Sequence, residues 1–299
     1  LVGVFVGFAL NEWSQMKADQ GIAQTERIVP GVKAELILST GERVCLAQRS
    51  EFIEGMKESG IRNDSLAGLN YVGAKIQGEE IGEEIVYNTM QIPVGGFYQL
   101  KLADGTKVWL NSLTRLRFPV TFAGEERKVY LTGEAYFEVA KDSLNRFVVQ
   151  AGDLAVEALG TSFNVKAYEE DNQAVVTLFQ GKVKTSVGRD EAFLLPDQAV
   201  TYLKNKGQLK KSTLNDAYRA CLWRNNELAF NDEALSEIAV LLNRMYNIQV
   251  VFKSEKVKAL RFTGVITNNS LDNIIELISL TSPIIYTSKG DTIIIDEKK

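Results

Sequence analysis

Histidine is absent from all 299 residues. That excludes Ser-His-Asp and Cys-His catalysis and every His-ligated metal site. Cysteine is nearly absent too. Cys45 and Cys221 have no metal-ligand spacing and read as two small packing residues, with one long-range disulfide as the alternative in an oxidising compartment. A basic surplus is missing: 34 basic residues face 38 acidic ones, a net charge of −4, which argues against a nucleic-acid binder. The nearest thing to a basic run, Lys204, Lys206, Lys210 and Lys211, reads as a solvated loop. Gly95-Gly96 lacks the spacing of a phosphate loop and reads as a bend before a strand. The acidic stretch GEEIGEE at 78–84 lacks the alternating ligands of a calcium loop and reads as a solvated connection. No cofactor or metal is expected. Long hydrophobic runs are lacking as well. The chain opens on LVGVFVGFAL, and ten apolar residues are half of the roughly 20 that span a bilayer. We read them as the end of a truncated transmembrane helix, with Trp13 in the interfacial belt. An amphipathic or core-packing first helix is the alternative.

What is present is alternation. From Asp104 to Lys141 the chain reads DGTKVWLNSLTRLRFPVTFAGEERKVYLTGEAYFEVAK. Val108 and Leu110 oppose Lys107 and Trp109, and a second period-two run covers Lys128 to Val139. Such runs are half-buried strands, and Asp104-Gly105 is a hairpin signal because glycine takes the positive φ a tight turn needs. Leu36, Leu38, Gly41, Val44 and Leu46 recur 64 positions on as Leu100, Leu102, Gly105, Val108 and Leu110, a strand-turn-strand unit that appears twice. Residues 48–70 read as a loop with one short helical turn. Strands are expected at 97–103, 106–111, 127–132, 135–140, 146–151, 153–159, 163–168, 173–179, 182–187 and 199–204. No helix-period segment interrupts 97–204. The fold class is therefore mainly β, a solenoid-like array or sandwich of short strands.

Past Leu214 the period changes. Leu235, Ile238, Leu242 and Met245 fall on one helix face, with Asn231 or Asp232 as cap. Leu271, Ile274, Ile275 and Ile278 mark a second helix, capped by Asn269 or Ser270. Leu235, Ile238, Leu242 and Ile248 recur 36 positions on as Leu271, Ile274, Ile278 and Ile284. The pattern is βαβ followed by βαββ, with both helices expected on one face of a shared sheet. Four segments follow: 1–29, membrane exit and linker; 30–92, a first β segment with loops; 93–213, the main β domain; and 214–299, a small α+β domain.

The words DGTKVWLNS, LRFP, LTGEAYFEVAKD and LGTSFNV, in this order and spacing, resemble the FecR family of envelope anti-sigma regulators over about 93–187. The last segment resembles the secretin/TonB N-terminal signalling (STN) module, which follows the FecR domain in that family. The resemblance implies a single-pass inner-membrane protein with this part in the periplasm. There it would sense the signalling domain of a TonB-dependent outer-membrane transporter. A cytoplasmic segment would hold an extracytoplasmic-function sigma factor, released after cleavage by periplasmic and intramembrane proteases. Some members are thought to cleave themselves at a Gly-Thr bond, here Gly160-Thr161, by attack of the threonine hydroxyl on the preceding carbonyl. That chemistry needs a strained peptide and a proton acceptor.

Other chemistry is weaker. Glu134 and Glu138 share a strand face, and an acid-base pair would need one of them in a pocket. Trp109, Phe118, Phe122, Tyr130, Tyr136 and Phe137 could form a sugar platform, the mark of an envelope carbohydrate-binding or structural module. Period-two aromatics are more often core. For partner contact the candidates are Trp223, Arg224, Phe230, Tyr246 and Phe252, with the strand edges of the last segment.

Overall fold

The computed structural model describes residues 28–46, 60–64, 68–74, 85–267 and 270–298. The expected membrane-exit helix, Trp13 and the acidic stretch 78–84 lie outside the described residues, as do most of 14–29 and 48–70; the described part of 48–70, expected as a loop, instead forms two short paired strands at Arg62–Asp64 and Gly68–Asn70. Among the described residues no helix is long and apolar enough to cross a membrane.

The strands are short on both sides of a single long one. Before it come β1 (Gly31–Val32), β2 (Glu35–Ile37), β3 (Arg43–Cys45), β4 (Arg62–Asp64), β5 (Gly68–Asn70), β6 (Tyr87–Gln91), β7 (Gly96–Lys101), β8 (Lys107–Leu110) and β9 (Arg115–Pro119). The long strand is β10 (Glu126–Glu138). After it come β11 (Arg146–Ala151), β12 (Leu154–Ala158), β13 (Ser162–Ala167), β14 (Gln173–Gln180), β15 (Val183–Val187), β16 (Asp190–Leu194), β17 (Gln198–Leu203) and β18 (Gln208–Thr213). Hairpins are laid alternately in two facing layers. One layer runs β3-β2-β6-β9-β10-β11-β12-β15-β16. The other runs β4-β5-β7-β8-β10-β13-β14-β17-β18. Alternate residues of both layers point inward and make one core, in which Phe137 stacks on Phe163 at 5.2 Å and meets Phe147 of the opposite layer at 6.0 Å. Each such side chain contributes about 1.5–3 kcal/mol by leaving water.

β10 belongs to both layers. Residues 126–132 pair with β9 and β11, and 133–138 pair with β8 and β13. Two separate strands were expected here; the chain instead passes between layers without a break. Gly133 makes the passage, at φ +111°, where a Cβ would sit 2.5–2.9 Å from Thr114. The Thr114 hydroxyl donates to the Glu134 carbonyl (3.1 Å) and accepts from the Glu134 N–H (3.0 Å).

The 64-residue echo is structural. Leu36 faces Val44 in β2–β3 as Leu100 faces Val108 in β7–β8. Both turns close alike, with Gly41 N–H donating to the Leu38 carbonyl and Gly105 N–H to the Leu102 carbonyl, each at 2.9 Å. The two copies lie in opposite layers.

A 3-10 helix, Ala217–Asn225, joins the sandwich to the C-terminal unit. There β19 (Leu228–Ala234), α1 (Leu235–Tyr246), β20 (Gln249–Phe252), α2 (Glu255–Lys258), β21 (Arg261–Ile266), α3 (Leu271–Thr281), β22 (Ile284–Lys289) and β23 (Thr292–Glu297) follow. The helix faces are buried as expected, in a core that includes Leu235, Ile238, Leu242, Leu271, Ile274 and Ile278. The expected shared sheet is not formed. β19 pairs with β21, while β20, β23 and β22 make a separate sheet. Each half of the repeat thus gives its first strand to one sheet and its next to the other. The cap of α1 also differs: Asn231 and Asp232 lie within β19, and Glu237 reaches back to the Ala234 N–H (3.0 Å). Ser270 caps α3 through the Asn273 N–H. Cys221 is buried and Cys45 exposed, and both are free, so only Cys221 packs as expected.

Candidate functional site

Gly160 and Thr161 lie just before β13, where the chain is constrained. Gly160 has φ +108°, and the Lys141 side chain occupies the space a Cβ would need. Thr161 is 5% exposed, and its carbonyl accepts from the Val139 N–H at 2.9 Å. Its Oγ1 has no hydrogen-bond partner among the described residues. The unengaged hydroxyl is one of the parts an N–O acyl shift uses, while positive φ at a glycine stores no strain. A proton acceptor bonded to that hydroxyl is not among the described residues. A buried hydroxyl without a partner costs about 1–3 kcal/mol. Thr161→Val is therefore expected to raise the urea midpoint of intact protein; an unchanged or lower midpoint would show that the hydroxyl is satisfied.

The carboxylates expected on one face are there, and they differ. Glu134 is 7% exposed. Its two oxygens accept from the Asn111 and Asn164 side-chain amides, at 2.9 and 3.0 Å. The Trp223 indole N–H donates to Asn164 Oδ1 at 3.3 Å, extending the chain of bonds from the sandwich to the 3-10 helix. Glu138 instead forms ion pairs with Lys107 (3.5 Å) and Arg224 (3.9 Å). Glu134 lines a cavity of about 320 Å³ with Lys166, Arg219, Trp223, Glu233 and Glu237. Burial pushes the Glu233 carboxyl pKa up, against the pull of Lys166.

Of the partner-contact candidates, Phe230 and Tyr246 are core residues, each 4% exposed, and burial lifts the Tyr246 phenol to about 12. They present no surface. Phe252 packs partly buried against the same core. Arg224 lies over the Tyr136 ring (3.6 Å) and the Trp109 ring (5.0 Å), so Trp223 and Arg224 fasten their own chain together. Of the aromatic platform, Phe118, Tyr136 and Phe137 are buried and Trp109 is covered by Arg224. What the C-terminal unit does expose is Val240, Val251, Val265, Leu277, Leu280, Ile285 and Tyr286, with β20 and β22 at the edges of their sheet. None of these stood out in the sequence, because their apolar neighbours share the same periods.

Sequence reading also missed Arg244. It is 4% exposed on α1 and forms ion pairs with Glu170 (2.7 Å) and Asp171 (2.6 Å) in the β13–β14 connection, lying 3.7 Å over the Tyr168 ring. Burial works against its charge, yet the two carboxylates outweigh that and raise its pKa.

The model of the FecR protein family matches residues 88–184, and that of the FecR C-terminal region matches 227–295. Two crystal structures, at 1.65 and 2.50 Å resolution, of a protein from Parabacteroides distasonis described as a putative anti-sigma factor are similar to this chain. Each is 31% identical with a TM-score of 0.66; the match covers 71% of this chain and 99% and 100% of theirs. The chain belongs to the FecR family of anti-sigma factors. No curated protein matches it. In this FecR protein the first family match starts in β6 and ends in β15, so it includes the layer-crossing β10 and Gly160-Thr161. The second covers nearly the whole C-terminal unit.

Proposed function

We propose that this protein is the periplasmic sensor part of a single-pass inner-membrane anti-sigma factor. It receives a signal from the signalling domain of a TonB-dependent outer-membrane transporter. It relays that signal to an extracytoplasmic-function sigma factor, held on the cytoplasmic side by a segment outside the described residues. Periplasmic and intramembrane proteases then free the sigma factor. The observation that carries this reading is the pairing of both FecR regions in one chain, alongside 31% identity to the anti-sigma structures.

The C-terminal unit has the surface such a receptor uses. Open strand edges accept a partner strand by main-chain hydrogen bonds, and apolar side chains beside them add specificity. Leu280 is 74% exposed and Ile285 52%, the latter on edge strand β22. Calorimetric titration of the protein with the signalling domains of its own cell's TonB-dependent transporters tests the reading. One of them is expected to bind. Binding to none, with binding to envelope glycans instead, would favour the carbohydrate module.

Self-cleavage at Gly160-Thr161 is a second part of the reading, supported by the buried, unengaged Thr161 hydroxyl. Thr161 Oγ1 attacks the Gly160 carbonyl carbon, the C–N bond breaks, and the hydroxyl proton passes to the freed amine. Water then hydrolyses the ester. A denaturing gel of fresh protein should show two fragments that Thr161→Val abolishes; a single full-length band contradicts it.

A further inference from the structure

The sandwich and the C-terminal unit have separate hydrophobic cores. Ion pairs, hydrogen bonds and cation–π contacts help to join them, and units that do not share a core move relative to each other by default. Those contacts fall at two places. At one, the 3-10 helix Ala217–Asn225 is fastened to the second layer by Trp223 and Arg224. Nine residues is long for a 3-10 run, whose hydrogen bonds are poorly aligned. It ends at Asn226 in the left-handed conformation, φ +60°. At the other place Arg244 grips Glu170 and Asp171, and its carbonyl accepts from the Gly95 N–H at 3.1 Å. Between them lies a cleft. The cavity of about 320 Å³ adjoins another of about 440 Å³, and both are lined by Lys166, Gln173, Glu233 and Glu237.

We infer that Arg244 is a releasable latch, and that the C-terminal unit swings on the 3-10 segment when it lets go. The latch has the properties release needs. Its guanidinium is covered, but Glu170 is 59% exposed on its side chain, so water and competing cations reach the acceptor side. The hinge side keeps its grip when the latch opens, because Arg224 holds Tyr136 and Glu138 by stacking and charge, not through Arg244. Opening would also separate Lys166 and Glu233, which face the cleft from opposite units and attract each other across it. The inference needs no particular partner, so it stands or falls apart from the function proposed above.

Electron-electron distance measurement tests it on the whole chain. Labels are placed at Lys210→Cys on β18 and Lys289→Cys at the end of β22, both exposed, in a Cys45→Ser background. The parent should give one narrow distance distribution. Arg244→Ala, and equally Glu170→Gln with Asp171→Asn, should give a longer and broader one at unchanged circular dichroism. A narrow distribution in either latch-breaking variant overturns the latch.

Discussion

Arg127→Ala is expected to destabilise the protein by about 3–5 kcal/mol, the cost of removing one partner of a buried ion pair. Arg127 is 4% exposed, and its Nη1 bridges to Asp104 Oδ2 at 2.7 Å and to the Ala140 carbonyl at 3.0 Å, while Nε donates to the Asn145 carbonyl at 3.0 Å. Asp104 in turn accepts from the Thr106 N–H and hydroxyl, and that hydroxyl accepts from the Ala140 N–H. One arginine therefore ties the turn before β8 to the end of β10 and to the start of β11. Alanine leaves the Asp104 carboxylate without its cation and three strand ends without their tie. Urea unfolding gives the number. A loss under about 1 kcal/mol would mean that the pair behaves as an exposed one.

The second large effect is at the layer crossing. Gly133→Ala places a methyl group against Thr114 on a backbone at φ +111°. Strain at such a φ costs about 1–3 kcal/mol, and forcing extra volume into a packed site adds about 1–3 kcal/mol. The expected loss is about 2–6 kcal/mol by urea unfolding, with the Thr114 hydroxyl bonds to Glu134 displaced. Gly124→Ala is the control. It too has positive φ, at +84°, but nothing stands within 4 Å of its added methyl, so it should lose only the strain. Equal losses at both positions would contradict the crossing as a packed constraint.

Much of this fold is legible in the chain, and the gaps have physical causes. β11 has the bounds its alternation gives, because one face of it enters the core at Phe147, Val149 and Ala151. β16 and β18 are missed because they are edge strands defined by hydrogen bonds. In β18 every residue but Leu209 is exposed, so no period-two contrast exists to be read. β9 does alternate, Leu116 and Phe118 against Arg115 and Arg117, but it is short and ends on Pro119. The two-sheet division of the C-terminal unit is beyond any periodicity, which tells that a strand is half-buried but not which strand it joins. The candidate site is less legible still. Phe230, Tyr246, Leu280 and Ile285 are all apolar, and only the fold separates the first two, in the core, from the last two, on the surface. Arg244 carries no sequence mark, since the chain approach that pairs it with Glu170 and Asp171 spans more than seventy residues.

The measurement that bears most directly on the proposed role is the calorimetric titration with transporter signalling domains, repeated with Leu280→Glu and with Ile285→Lys. Both positions are exposed, so stability should change by less than about 0.5 kcal/mol. The account predicts that one signalling domain binds the parent protein and that each substitution weakens it at least tenfold. Binding that neither substitution alters, or no binding to any signalling domain, would contradict it.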